Sequence, residues 1–372
     1  MFKNNKVAIL AAAATLMSGS AFAEIKASLE IQNAGKLMNT SDVTATVSFT
    51  NTDSKPAKML SYLMKANNNG ELEEHLFTVT RDGEKVPYEG MHVKRFAPSA
   101  KDYITIGAGK TISFDVELSG VYDLQQAGNY TFKYSAHNVN LFGEQGLLDH
   151  KAAMRGMDGI DSNVASAFIG KDPAYDFSRV VKKGKPCNPK KEDCGGGGGT
   201  DPSGIEFTGG CTSGEQADLV SAFDSAKAMA NDAIAYLNSG NTGPRYTQWF
   251  GAYSSQRYNK VSSNFDAIKD AMDNEQMTFD CGCNQSYFAY VYPSQPYKVY
   301  FCRAFWNARE TGTDSRAGTI IHEISHFNAV AGTDDVVYGQ SGAASLADSD
   351  PAAAITNADS HEYFAENTPN LN

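Results

Sequence analysis

Apolar and polar residues alternate with a period of two along much of the chain between Glu24 and Ser135. The alternation is clearest over 43–49, 111–118 and 130–134, and turn-rich pieces at Asn67–Gly70 and Arg81–Gly83 separate such runs. Short alternating strands with regular turn signals predict an antiparallel, all-β, immunoglobulin-like sandwich. His75, His92, His137 and His150 are scattered through this part and read as ordinary surface or packing residues.

The period changes after about Ile205. Leu219, Val220, Phe223, Ala226, Ala230, Ala233, Ile234 and Leu237 recur at three- and four-residue steps, as do Tyr258, Val261, Phe265, Ile268 and Met272. This spacing predicts two amphipathic helices. A strand-like stretch follows between Met277 and Cys302, best over 297–302. A third helix is expected over about 314–330, with Gly332 able to end it in a left-handed cap, and a fourth over about 351–366. The second part is therefore an α-rich α+β domain.

Between the two parts the composition shifts. Lys182, Lys183, Lys185, Lys190 and Lys191 crowd together, and Gly195 to Gly199 form an unbroken glycine run. Polyglycine has no side chains to pack and the highest backbone entropy, so 182–204 reads as a linker. An exposed basic linker is also where proteolysis concentrates. At the start of the chain, Lys3 and Lys6, an apolar run from Val7 to Met17, and Ala21-Phe22-Ala23 form an export signal. The run is shorter than the roughly 20 residues of a membrane span. The expected division is a signal peptide over 1–23, a pro-domain over 24–181, the linker over 182–204 and a catalytic domain over 205–372, in a secreted protein with no membrane partner.

Cysteine use agrees with export. Cys187, Cys194, Cys211, Cys281, Cys283 and Cys302 all lie in the second half, and an even number in an exported chain suggests disulfides. A formal charge of −11 argues against nucleic acid, whose phosphates demand a basic surface. It leaves room for a site that attracts cationic substrates.

The chemistry concentrates in His322-Glu323-Ile324-Ser325-His326. On a helix the two histidines, four apart, share a face and can hold one zinc ion. Zinc lowers the pKa of a bound water to about 7, and Glu323 stands where it can take that water's proton. The third ligand is open at this point. A metzincin would need glycine at Ala329 and histidine at Gly332, so that pattern fails. Glu362 and Glu366 could serve as in a thermolysin-like site, and Asp334 and Asp335 lie closer, just past the histidine helix.

H-E-x-x-H followed by Gly332-Thr333-x-Asp335-x-x-Tyr338-Gly339 resembles the deuterolysin and peptidyl-lysine metalloendopeptidase family, the aspzincins. The resemblance runs from about Cys211 to the C-terminus. It implies Asp335 as the third ligand of a single zinc per chain, beside His322 and His326. It also implies Glu323 as the base, and Tyr338 as a hydroxyl over the metal that steadies the oxyanion. It further implies disulfides Cys211–Cys281 and Cys283–Cys302, leaving Cys187 with Cys194. Asp359 and Glu362, three apart on the last helix, are similar to acidic residues that receive a lysine side chain after the scissile bond in the lysine-specific members. His361 departs from the tyrosine common there. The expected function is a zinc endopeptidase acting on proteins and peptides before lysine. Its own pro-domain would inhibit it, and it would process itself in the linker. A protease of broader specificity activated by another enzyme, and a secreted binding protein with structural zinc, are the alternatives. Structural zinc is usually closed by four protein ligands, and three are visible.

Overall fold

In a computed structural model, residues 25–34, 38–39, 43–67, 70–143, 158–171 and 204–372 are described. The expected signal peptide, nearly all of the linker, His150 and the Cys187–Cys194 pair lie outside them. The first half is β-rich and the second α-rich, as the two periodicities predict.

In the first half, β3 (Thr44–Asn51) runs antiparallel between β1 (Ile25–Ile31) and β9 (Thr111–Glu117). Ala45, Val47 and Phe49 of β3 are buried. The outward Thr46, Ser48 and Thr50 meet Asp115, Ser113 and Thr111 across the ladder at 2.6, 2.8 and 2.8 Å. A second sheet has the order β2 (Met38–Asn39), β13 (Ala165–Gly170), β10 (Gly128–Asn138), β5 (Phe77–Arg81), β6 (Glu84–Val86), with β12 (Asp158–Asp161) also on β10. A third joins β11 (Phe142–Gly143), β4 (Ala57–Leu60) and β8 (Tyr103–Ile106). Phe49, Phe77 and Tyr134 pack edge to face where the sheets meet. Strands thus continue beyond Ser135, where the alternation fades.

The second half is built on α1 (Ser213–Asn238), α2 (Pro244–Phe250) and α3 (Ser255–Asn274). Thr212 and Glu215 form a reciprocal capping box that starts α1. Beside the helices lies a sheet of β14 (Glu206–Thr208), β15 (Thr278–Asp280), β17 (Lys298–Phe301), β16 (Ala289–Val291) and β7 (His92–Lys94). The last of these belongs to the first half of the chain. It pairs antiparallel with β16, placing Lys94 opposite Ala289 and His92 opposite Val291.

After the short α4 (Arg303–Asn307), α5 (Arg316–His326) carries the two histidines. Ser315 caps its start, and every residue from Ala317 to His326 is buried. It ends at His326 rather than near 330. Phe327 leaves helical geometry (φ −57°, ψ 132°), and Gly332, although left-handed (φ 59°), shapes the loop beyond the helix. The expected last helix is divided. After α6 (Gln340–Ser349), α7 (Pro351–Ala354) is capped by the Asp350 carboxylate, and α8 (Ala358–Glu366) begins after Asn357. Asn357 Oδ1 accepts from the backbone N–H groups of Val336 and Val337, both at 3.1 Å. The break thus anchors the loop carrying Asp335.

Cys211–Cys281 and Cys283–Cys302 are bonded. The first spans 70 residues and the second 19. In the chain-entropy model, losing the first costs about 4.4 kcal/mol and the second about 3.2. Paired Cys→Ser variants should therefore rank in that order by denaturant unfolding.

Candidate metal centre and substrate cleft

Helix α5 puts His322 and His326 one turn apart, facing the loop from Thr333 to Tyr338. Asp335 Oδ1 lies 3.1 Å from His322 Nε2 and 3.5 Å from His326 Nε2. These three atoms are buried without a closed hydrogen bond among the described residues. An ion about 2.0–2.1 Å from each atom of a tetrahedral set holds them roughly 3.3 Å apart, so the spacing fits zinc. His326 Nδ1 is fixed by the Thr333 carbonyl at 2.9 Å. Asp334 turns the other way, 3.4 Å from both His75 Nδ1 and His92 Nδ1. Glu362 and Glu366 do not approach the Nε2 side of the histidines. Glu362 Oε2 is 3.3 Å from His322 Nδ1, and Glu366 Oε1 accepts from the Ser315 N–H and hydroxyl at 2.8 and 2.7 Å. Glu323 is fully buried beside the histidines, and burial raises its carboxyl to about 7.

Strand β7 lies in this cleft. The Val93 N–H donates to Asp335 Oδ2 at 2.9 Å. The Lys94 backbone favours the charged form of the Glu323 carboxyl, a smaller effect than burial. The Lys94 carbonyl accepts from Phe288 N–H at 2.9 Å. Its side chain passes Phe288 and Tyr363. Nζ reaches Glu362 Oε2 at 2.8 Å, Asp359 Oδ1 at 2.9 Å and Asp314 Oδ1 at 3.1 Å. Lys94, Asp359 and Glu362 are all buried, and the carboxylates hold the ammonium pKa well above its usual value against the cost of burial. Asp359 does a second job, because the same Oδ1 lies 2.9 Å from His322 Nδ1. One carboxylate therefore touches both the bound ammonium and the back of a metal-side histidine, an arrangement that orients metal-ligating imidazoles.

A sequence profile of the lysine-specific metallo-endopeptidase family matches residues 235–366. An extracellular protease of Aeromonas hydrophila is 44% identical over 335 residues, covering 90% of this chain and 90% of that protein. The chain belongs to the aspzincin metalloendopeptidase family. A peptidyl-Lys metalloendopeptidase of Pleurotus ostreatus is 52% identical to this aspzincin over 164 residues, 44% of this chain and 97% of the relative. Among solved structures, a zinc peptidase from Grifola frondosa shares 44% identity, covering 44% of this chain and 100% of its own, with a TM-score of 0.42.

Other side chains around the site make contacts that the sequence does not announce. His75 and His92 pack as expected, both against Tyr88, but beside the loop that carries Asp335. Both face Asp334, and the His92 ring lies 4.7 Å from that of His326. Burial lowers the His92 imidazole pKa to about 4. His361 does not line the acidic pocket. Its Nδ1 meets the Asn357 carbonyl and its Nε2 the Asn264 amide, both at 2.9 Å, between Phe250 and Phe265. Tyr338 is buried and packs against the first-half core, with its hydroxyl donating to Glu74 Oε1 at 2.9 Å. Lys94, Glu74 and Asp314 carry no local signal, since each meets its partners across distant parts of the chain.

Glu366 gives the site a pH-dependent cost. Burial, then the neighbouring Glu362 charge, raise its carboxyl from 4.5 to about 9. A folded-state pKa above the unfolded one means that folding takes up a proton between these values. Its stabilising contribution is complete below pH 4.5 and is lost as pH rises towards 9. Glu366→Gln, which can still accept from Ser315, should raise the melting temperature near pH 8 and change it little near pH 5. The gain expected is a few degrees, since about 1 kcal/mol moves a domain of this size by roughly 2–4 °C. Scanning calorimetry at the two pH values checks this.

Proposed function

We propose that the protein is a secreted zinc endopeptidase that cuts before lysine and is made as a latent proenzyme. The observation carrying this reading is Lys94. Its ammonium sits between Asp359 and Glu362 while its backbone is paired with the edge of β16, as expected of a lysine just after a scissile bond. Lysine suits such a pocket because its compact charge on a flexible stem can reach converging carboxylates; arginine is longer and planar. The β-rich half, an immunoglobulin-like sandwich pro-domain in our reading, occupies the cleft by adding β7 to the edge of β16, the way extended peptides add to exposed strands.

His322, His326 and Asp335 hold the zinc, which supplies Lewis acidity at the scissile carbonyl when bound. Glu323 takes the proton of the attacking water and returns it to the departing amine, and its raised pKa suits a group that must do both. Tyr338 donates to the oxyanion once its hydroxyl is free. Phe288 N–H fixes the carbonyl of the lysine residue, and Asp359 orients His322 from behind. Maturation follows from cleavage in the linker, where Val181-Lys182, Lys182-Lys183, Gly184-Lys185, Pro189-Lys190 and Lys190-Lys191 offer suitable bonds.

Paired peptides differing only in lysine or alanine after the scissile bond test the pocket. In the Asp359→Ala, Glu362→Ala double variant, the lysine-to-alanine ratio of kcat/KM should fall by about 30-fold or more, as expected when a buried ion pair loses its partners. Asp359 also touches His322, so absolute rates will drop for both peptides and the ratio is the informative quantity. An unchanged ratio would remove the lysine pocket from the account.

A further inference from the structure

The pro-domain strand meets the requirements for a substrate, yet it must survive in the precursor. Val93 and Lys94 are both hydrogen-bonded into the cleft, and the Lys94 ammonium fills the acidic pocket. The element out of place is Tyr338. Its hydroxyl donates to Glu74 Oε1 at 2.9 Å. Glu74 is almost fully buried and comes from the same β-rich half as the strand. Arg95, the residue after Lys94, holds Glu74 there: its Nη2 lies 2.9 Å from Glu74 Oε1 and 3.2 Å from Glu73 Oε2. The Arg95 guanidinium also lies over the rings of Tyr62 and Tyr338.

We infer that Val93–Lys94 is a second self-cleavage site of the precursor, kept intact because Glu74 engages the Tyr338 hydroxyl. This rests on the proposed roles of Lys94 and Tyr338. An oxyanion forming at the Val93 carbonyl needs a free donor, and the hydroxyl that would serve is committed to a carboxylate. Oxyanion stabilisation is worth roughly 10²–10³ in rate per donor, enough to turn a bound peptide from substrate into inhibitor. Glu74 is thus a positioning residue that acts through Tyr338. When the pro-domain loosens and Glu74 withdraws, water adds to the Val93 carbonyl carbon and the C–N bond to Lys94 breaks. Glu323 passes the proton to the leaving amine, giving a carboxylate at Val93 and an ammonium at Lys94. The cut separates the inhibitory lysine from the residues before it, so the strand cannot rebind as one piece.

The test follows intact mass and new N-termini in purified, zinc-loaded, full-length precursor over time. Glu74→Ala should generate a fragment beginning at Lys94 at least about 10-fold faster than wild type, within the range of one oxyanion donor. Glu74→Leu, which keeps about the same volume and removes the acceptor, should behave like Glu74→Ala. The Glu74→Ala, Glu323→Gln double variant should show no break, and its melting curve beside that of Glu323→Gln alone reports whether the Glu74 change disturbs folding. If the double variant is unfolded, the Glu74→Leu chain decides, and an intact Val93–Lys94 bond in it overturns the inference. A Glu74→Ala precursor that cuts lysine peptides but keeps Val93–Lys94 whole also overturns it, leaving the functional reading standing. Equal breakage in wild type and variant removes Glu74 as the latch. A folded precursor and matured enzyme that cut neither peptide nor chain sink the functional reading and this inference with it.

Discussion

Glu323→Gln should yield a chain that binds zinc and cuts almost nothing. The side chain lies beside the ligand set without belonging to it, so the amide removes the base and spares the histidines and Asp335. Losing a general base costs about 10²–10⁴ in rate, and here the same group also protonates the leaving amine. Because processing is assigned to the protein itself, the secreted variant should accumulate at precursor length, lacking only the signal, in a host free of other extracellular proteases. Metal content by atomic absorption, peptide turnover and intact mass check the three statements together. Turnover near wild type would end the proposed mechanism. Normal maturation of an inactive chain would instead assign the linker cut to another enzyme.

Asp335→Ala and Asp334→Ala should separate cleanly in metal content despite being neighbours. Asp335 Oδ1 converges with both Nε2 atoms, whereas Asp334 faces His75 and His92. Removing Asp335 leaves two ligands and should empty the site at micromolar zinc. Removing Asp334 should leave zinc bound and weaken only the grip of the β-rich half. Asp359→Asn belongs between them: loss of a partner behind a ligating imidazole typically costs about 10–100-fold in metal affinity. Competition with a chromophoric chelator ranks all three, and equal zinc loss from Asp334→Ala and Asp335→Ala would reopen the choice of third ligand.

What could be read in the sequence was local or periodic. The histidine helix, the two long helices and the change from strands to helices follow from spacing or from motifs whose residues lie close together, whereas the pairing of both described disulfides came only through the family resemblance. The acidic pair Asp359 and Glu362 was also visible, because three residues on a helix define a face. Lys94 was not, since its partner Asp359 lies 265 residues away and a lysine in an alternating strand looks like any solvated one. His92 and Glu74 were hidden for the same reason. The divided last helix escaped because its break is set by Asn357 holding the Asp335 loop, a tertiary demand that overrides the helical pattern. His361 departs from the family's tyrosine, and helical rotation turns it into the core between two phenylalanines.

The central claim is that this site receives lysine on the leaving side of the scissile bond. Its most direct test is digestion of an unfolded, lysine- and arginine-containing protein with the matured enzyme, followed by sequencing of every new N-terminus. Nearly all of them should begin with lysine and few with arginine. New N-termini spread over many residue types, or arginine and lysine in equal measure, would contradict it.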